Sequence, residues 1–284
     1  MKQRKLERLR KRYEKRLNDT LRMAPGEDNV LDACDSVIQY ALWGKFLKNP
    51  PVSVVDVRSL TKVDLQIFGL LYSGLPDELI LKSDFNYHQA KYSLKNSSSK
   101  RPCGVRGIIE TKSPTENPDD KNYKWEGSKG LIDLADSGCL SREDLIWIGK
   151  DFSRKDPKGH RILCPSGVSI DITPKPSDKF NSMEISCRSG EKQSVDLYQL
   201  DGYLLDSYLF PGLDYVIWTN GLYWKIFYKG KSWGEPIKLD LKKDYVKTVS
   251  GGPFQGMPLN MPIQINRGEF KKLIDVLKLM YHKL

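Results

Sequence analysis

The chain has 284 residues, 39% of them hydrophobic and 29% charged, the composition of a folded globular protein with one sizeable core and room for a satellite subdomain. No stretch approaches eighteen consecutive apolar residues, and Met1 to Arg12 lacks the apolar centre of a signal peptide. No membrane partner is therefore expected, and the expected location is the cytoplasm, or the nucleus in a eukaryotic host. The net charge of +10 is concentrated, because residues 2 to 16 carry nine Lys or Arg against Glu7 and Glu14, leaving +3 for the remainder.

That basic segment, residues 1–24, repeats Leu6, Leu9, Tyr13, Leu17 and Leu21 at three- and four-residue steps, so it should form an amphipathic helical arm closed by Ala24-Pro25-Gly26. Its charged face suits nucleic-acid phosphates. Its apolar stripe should pack on the body or on a twin chain in a homodimer. A second helix is expected from Asn29 to Phe46 with Asp28 as its cap, then a short strand, Val52 to Val57, and a helix-like stretch from Asp64 to Tyr72. Asp77 falls in an expected turn after Pro76, and Asp84 ends a β-rich run.

After a polar loop at Lys95 to Arg101, Ile108 and Ile109 lead into Glu110 and Lys112. Residues two apart on a strand share a face, so these two charges should project together. Residues 115–160 are polar but carry Leu131, Ile132, Leu145 and Trp147, which reads as an inserted subdomain. Asp171 and Glu184 follow on two further strands. Leu200, Leu204 and Leu205 mark a helix, ended by Pro211-Gly212. Two β-rich runs then flank Asn220-Gly221, which should be a two-residue hairpin turn with positive φ at both positions. An amphipathic helix, Glu269 to Leu284, closes the chain.

The order helix, strand, tight turn, strand, with Gln199 and Tyr203 on the helix and Thr219-Asn220-Gly221 at the turn, resembles the end of the nuclease domain of type I restriction enzyme motor subunits. Those domains belong to the PD-(D/E)xK nuclease superfamily. The resemblance implies an α/β fold with a mixed central sheet flanked by helices, of restriction-endonuclease type. Residues 25–114 would be the first part of that core and 161–284 the second. It also implies Mg²⁺- or Mn²⁺-dependent cleavage of DNA, and places the hairpin at the sheet's far end from the metal. Carboxylates would hold the ion against the scissile phosphate while a lysine orients the attacking water.

Two acidic sites compete for that role. The favoured one has Asp84 and Glu110 as metal ligands, Lys112 activating water and Gln199 orienting substrate or the lysine; Asp77 ranks second to Asp84 for the first ligand. The rival has Asp171 and Glu184 as ligands, with Lys192, at the start of the helix, reaching back to replace the lysine absent at Ser186. A nucleic-acid-binding protein that keeps the fold without cutting is the alternative function. Phosphate-loop and dinucleotide glycine motifs are absent, and the five cysteines and three histidines lack zinc spacing, so each cysteine is expected to be a small buried hydrophobe.

Overall fold

The computed structural model describes residues 2–23, 27–43, 52–57, 70–72, 76–82, 104–119, 125, 127–128, 130–152, 159–174, 181–253 and 255–283. Asp64, Asp84 and the Lys95–Arg101 loop lie outside these. Helices α1 (Lys2–Met23) and α2 (Glu27–Trp43) precede strands β1 (Val52–Asp56), β2 (Glu78–Lys82) and β3 (Val105–Thr111). Next come α3 (Gly130–Asp136), α4 (Arg142–Phe152), β4 (His160–Leu163), β5 (Ser169–Pro174), β6 (Asn181–Ser186) and β7 (Lys192–Leu197). The chain continues with α5 (Gln199–Leu209), β8 (Tyr215–Thr219), β9 (Tyr223–Tyr228), β10 (Lys231–Ser232), β11 (Ile237–Lys238) and α6 (Arg267–Lys283).

The main sheet has seven strands in the order β1-β2-β3-β8-β9-β10, with β11 also paired to β9. Its pairs are antiparallel except β3 with β8, which run parallel with Glu110 beside Trp218 and Thr111 beside Thr219. Parallel neighbours need a crossover, so the chain must leave the sheet after β3 and return before β8. Both faces of the central strands are covered. Ile109, Tyr215 and Ile217 pack on one face with α1, α2 and α6, while Ile108, Val216 and Trp218 pack on the other with α3, α4 and α5. This alternation is the period of two that a strand imposes. The fold is thus mixed α/β, with a mixed sheet between helices.

The strands carrying Asp171 and Glu184 do not join that sheet. They form a separate four-stranded antiparallel sheet, β4-β5-β6-β7, whose inner side contributes Ile170, Ile172, Met183, Ile185 and Val195 to the core around α3, α4 and α5. The described elements between β3 and α5 are thus the helices α3 and α4 and this small sheet. In this part of the chain Cys139 and Cys187 form a disulfide, so these two are not the inert thiols expected from sequence, whereas Cys34 and Cys164 are buried and free.

Helix α1 uses its apolar stripe inside the same chain. Tyr13, Leu17 and Leu21 are at most 1% exposed against α2, α6 and the sheet, and Arg10 and Glu14 tie the helix to Ile265, the former by donating to its carbonyl at 2.6 Å. The outward side carries Arg4, Arg8, Lys11, Lys15 and Arg22, all exposed. At 1.5 Å per residue this row is roughly 27 Å long.

The Asn220-Gly221 connection departs from the expected geometry. Gly221 has φ +87°, but Asn220 does not have positive φ. Thr219 pairs with Trp224 and the Asn220 N–H donates to Tyr223 O at 3.3 Å, so the two central turn residues are Gly221 and Leu222; the Asn220 side-chain carbonyl accepts N–H bonds from Leu222 and Tyr223 at 3.0 and 2.8 Å, an Asx turn that caps the connection. The turn also lies at the same end of the sheet as Lys112, whose N–H donates to Thr219 O at 2.7 Å, and not at the far end. The parallel pairing of β3 and β8 forces this, because both strands finish on one side. A β-carbon on Gly221 would meet Leu17 at 3.0 Å and Val30 at 3.1 Å. Gly221→Val is therefore expected to lower stability by about 1–3 kcal/mol from backbone strain, and further from crowding under α1 and α2. A thermal melt unchanged from the parent protein would show that the left-handed backbone at this position is dispensable.

Candidate active site

Glu110 and Lys112 leave the end of β3 on the face covered by α5. The Glu110 carboxylate is 3% exposed and accepts three hydrogen bonds: Oε1 from Lys112 Nζ at 2.5 Å and from Gln199 Nε2 at 2.6 Å, Oε2 from the Tyr203 hydroxyl at 2.8 Å. Gln199 and Tyr203 are one helical turn apart and so share a face of α5. Gln199 itself is exposed, which puts it at the solvent edge of the cluster, while Tyr203 is fully buried behind it. Lys112 lies 4.9 Å from the Trp218 ring centre and 4.0 Å from Glu27 Oε1, in the first turn of α2.

Asp77 completes the group. In the antiparallel β2–β3 register Glu78 pairs with Ile109, so the next pair outward sets Asp77 opposite Glu110. Directly opposed residues have β-carbons about 5 Å apart on the same face. Asp77 Oδ2 accepts from the Thr111 N–H and hydroxyl, both at 2.6 Å, which fixes it at the strand end.

The electrostatics of the cluster follow from burial. Loss of water pushes the Glu110 carboxyl up to about 7, and the charge of Asp77 adds to this, while Lys112 and the Tyr203 hydroxyl oppose it. Burial acts to lower the Lys112 ammonium, but Glu110 and Glu27 outweigh it and hold it above its ordinary value. The Tyr203 phenol is driven far up by burial and by Glu110, so it remains a donor. Lys112 is thus a fixed cation at neutral pH. It can stabilise developing negative charge and orient water, but it holds no free pair with which to take a proton.

Asp77 and Glu110 offer oxygen donors of the kind Mg²⁺ accepts from one or two carboxylates plus substrate phosphate. A carboxylate has about four acceptor positions, and Glu110 uses three, which leaves one for an ion. A cation there would offset both the burial of Glu110 and its repulsion from Asp77, so these residues fit the metal. Among the described residues no group of three or more His, Cys, Asp and Glu side chains is arranged to hold one.

The structure brings together Glu110, Lys112 and Gln199 of the favoured set. Asp84 lies outside the described residues, and the neighbour of Glu110 across the strands is Asp77. Asp171, Glu184 and Lys192 sit on the outer face of the small sheet. Asp171 pairs with Glu184 in register, but each is bound to a surface cation, Arg161 at 2.6 Å and Lys192 at 2.7 Å respectively. Lys192 opens strand β7 and not the helix. These ion pairs are exposed and form an ordinary solvated charge ladder.

Sequence reading missed Glu27 and ranked Asp77 second. The Pro76-Asp77 dipeptide before Glu110-Thr111-Lys112 was the available signal for the latter. No family model, no curated protein and no solved structure matches the chain. No helix among the described residues is long and apolar enough to cross a membrane.

Proposed function

We infer that the protein is a Mg²⁺- or Mn²⁺-dependent endonuclease acting on DNA, built on a restriction-endonuclease-like core. The observation that supports this best is the convergence of Glu110, Lys112 and Gln199 at one strand end with Asp77 opposite. Asp77 and Glu110 would hold the ion, which when bound supplies Lewis-acid stabilisation of the phosphate and a more acidic water. Tyr203 and Gln199 orient the Glu110 carboxylate. Lys112 sits where it can point the attacking water at the phosphorus and stabilise charge on the phosphate oxygens. Glu27, within reach of Lys112, helps keep that lysine protonated.

The test is incubation of supercoiled plasmid with the protein and Mg²⁺ or Mn²⁺, with and without chelator. Nicking that chelator abolishes is expected. Plasmid that is bound but never nicked in either metal would support the second reading, a nucleic-acid-binding protein without cleavage.

The basic row on α1 supplies sequence-independent phosphate contacts in this reading. Arg8→Glu with Lys15→Glu is expected to weaken duplex binding and reduce the log–log salt slope by about one unit per lost contact. Both side chains are exposed, so folding should be unaffected. A slope identical to that of the parent protein would mean that α1 serves packing alone.

A further inference from the structure

The Cys139–Cys187 bond joins two tight turns whose Cα atoms at the bond lie 5.6 Å apart. Cys139 follows the end of α3, where the N–H groups of Ser137, Gly138 and Leu140 donate back to the carbonyls of Asp133, Ala135 and Leu134, and Gly138 has positive φ. Cys187 opens the β6–β7 turn, donating its N–H to Glu191 O at 2.9 Å and accepting that of Gly190 at 3.0 Å. An open groove lined by Ser137, Gly138, Ser141, Arg188 and Ser189 runs beside the bond. Cys139 is half-buried at this groove and Cys187 is 8% exposed, so an incoming thiolate has a route to Cys139. The junction after α3 has a second anchor on the small sheet. The Asp144 carboxylate accepts from Ser141 N–H at 2.8 Å and, in the β4–β5 turn, from Ser166 N–H at 3.1 Å. The layer therefore stays attached when the disulfide opens.

Both sides of the bond lead to α5. Ser128 N–H, just ahead of α3, donates to Asp201 Oδ1 at 2.5 Å, and Asp136 in the last turn of α3 accepts from the Tyr208 hydroxyl at 3.0 Å. Strand β7 packs on the start of α3 so closely that a β-carbon on Gly130 would meet Val195 at 2.6 Å. It then runs into α5 through Tyr198, whose N–H donates to Asp201 Oδ2 at 2.8 Å. Asp201 thus receives one hydrogen bond from the α3 side and one from the β7 side. It stands two residues from both Gln199 and Tyr203, which hold the Glu110 carboxylate. The disulfide fixes those two sides relative to one another.

We propose that Cys139–Cys187 is a reversible redox site, at which a dithiol reductant opens the bond and so loosens the hold of Gln199 and Tyr203 on Glu110. As a control on cleavage this rests on the nuclease reading given above. One thiolate of the dithiol attacks Cys139 Sγ, displacing Cys187 as a thiolate and leaving a mixed disulfide on Cys139. The second thiol of the reductant then attacks its own bonded sulfur and releases Cys139. Two electrons and two protons pass to the cysteine pair, and the reductant departs as a disulfide. The location expected from the sequence is one where thiols are kept reduced, and protein disulfides that form there are usually transient and redox-sensing.

The protein is incubated with and without dithiothreitol below the melting temperature of either form. Free-thiol titration, melting temperature, hydrogen exchange of the α5 amides and plasmid nicking in Mg²⁺ are then read together. In the folded protein two further thiols are expected to titrate, and the melting temperature to fall by roughly 5–15 °C. The α5 amides should exchange faster and nicking should drop about fivefold or more, all reversed by oxidised dithiothreitol. Cys187→Ser should match the reduced protein and ignore the reductant. A bond that opens only when the chain unfolds overturns the proposal. So does a reduced protein whose α5 exchange and nicking equal those of the oxidised one, and its nicking leaves the nuclease reading standing. A response to reductant that persists in Cys187→Ser places the effect on another cysteine and overturns it too. Faster α5 exchange on reduction in a protein that never nicks upholds the redox site and overturns the nuclease reading alone.

Discussion

Glu110→Gln is expected to lower metal-dependent nicking by about three orders of magnitude while leaving the fold intact. The amide keeps the shape of the carboxyl; its oxygen can still accept from Lys112 and Gln199 and its NH2 can donate to the Tyr203 hydroxyl, so packing at this 3% exposed position is preserved. What it removes is the negative charge that would hold the ion. Loss of several kcal/mol of transition-state charge stabilisation corresponds to that factor, since each 1.36 kcal/mol is tenfold in rate. Lys112→Met, which keeps the stem against Trp218 and removes the ammonium, is expected to cost about 10²–10³ in rate. Asp171→Asn and Glu184→Gln on the small sheet should cut as the parent protein does. Nicking that survives Glu110→Gln but disappears with Glu184→Gln would transfer the chemistry to the small sheet and overturn the assignment.

Removing residues 1–23 is expected to leave a chain that does not fold, because Tyr13, Leu17 and Leu21 close the core on one side of the main sheet. The point substitution Leu17→Ala measures the same dependence. A fully buried leucine cut back to alanine costs about 2–5 kcal/mol, enough to lower the melting temperature of a chain this long by roughly 5–15 °C. Lys15→Ala, two residues away on the exposed side, should change stability by no more than about 0.5 kcal/mol. Equal melting temperatures for Leu17→Ala and the parent would show that α1 is a detachable arm after all. The same burial is why charge reversal, and not truncation, is the way to ask whether α1 touches nucleic acid.

Glu110 and Lys112 were legible because their relation is local: an apolar lead-in sets the strand and its period sets the shared face. Gln199 was legible through the pattern of the helix and the hairpin after it. Asp77 was ranked behind Asp84 because its value lies in the pairing of β2 with β3, and register between strands well separated along the chain is not written in either strand. Glu27 was invisible for the same reason, since only tertiary packing brings the first turn of α2 to Lys112. Asp171 and Glu184 were read correctly as sitting on adjacent strands, yet alternation looks the same in a main sheet and in a satellite one. The pairing of Cys139 with Cys187 could not be read from spacing, and neither could the capping role of the Asn220 side chain.

The distance along the chain between the two halves of the site has a bearing on how it assembles. Glu110 and Gln199 are 89 residues apart, so their hydrogen bond closes a long excursion of the chain. Loop-closure entropy rises only as the logarithm of length, so this long excursion costs only about 1 kcal/mol more than a crossover a quarter as long. The Cys139–Cys187 bond bypasses 48 of the residues on that route, joining the outgoing limb to the returning one. In the oxidised chain the path from carboxylate to glutamine is therefore much shorter than the sequence implies.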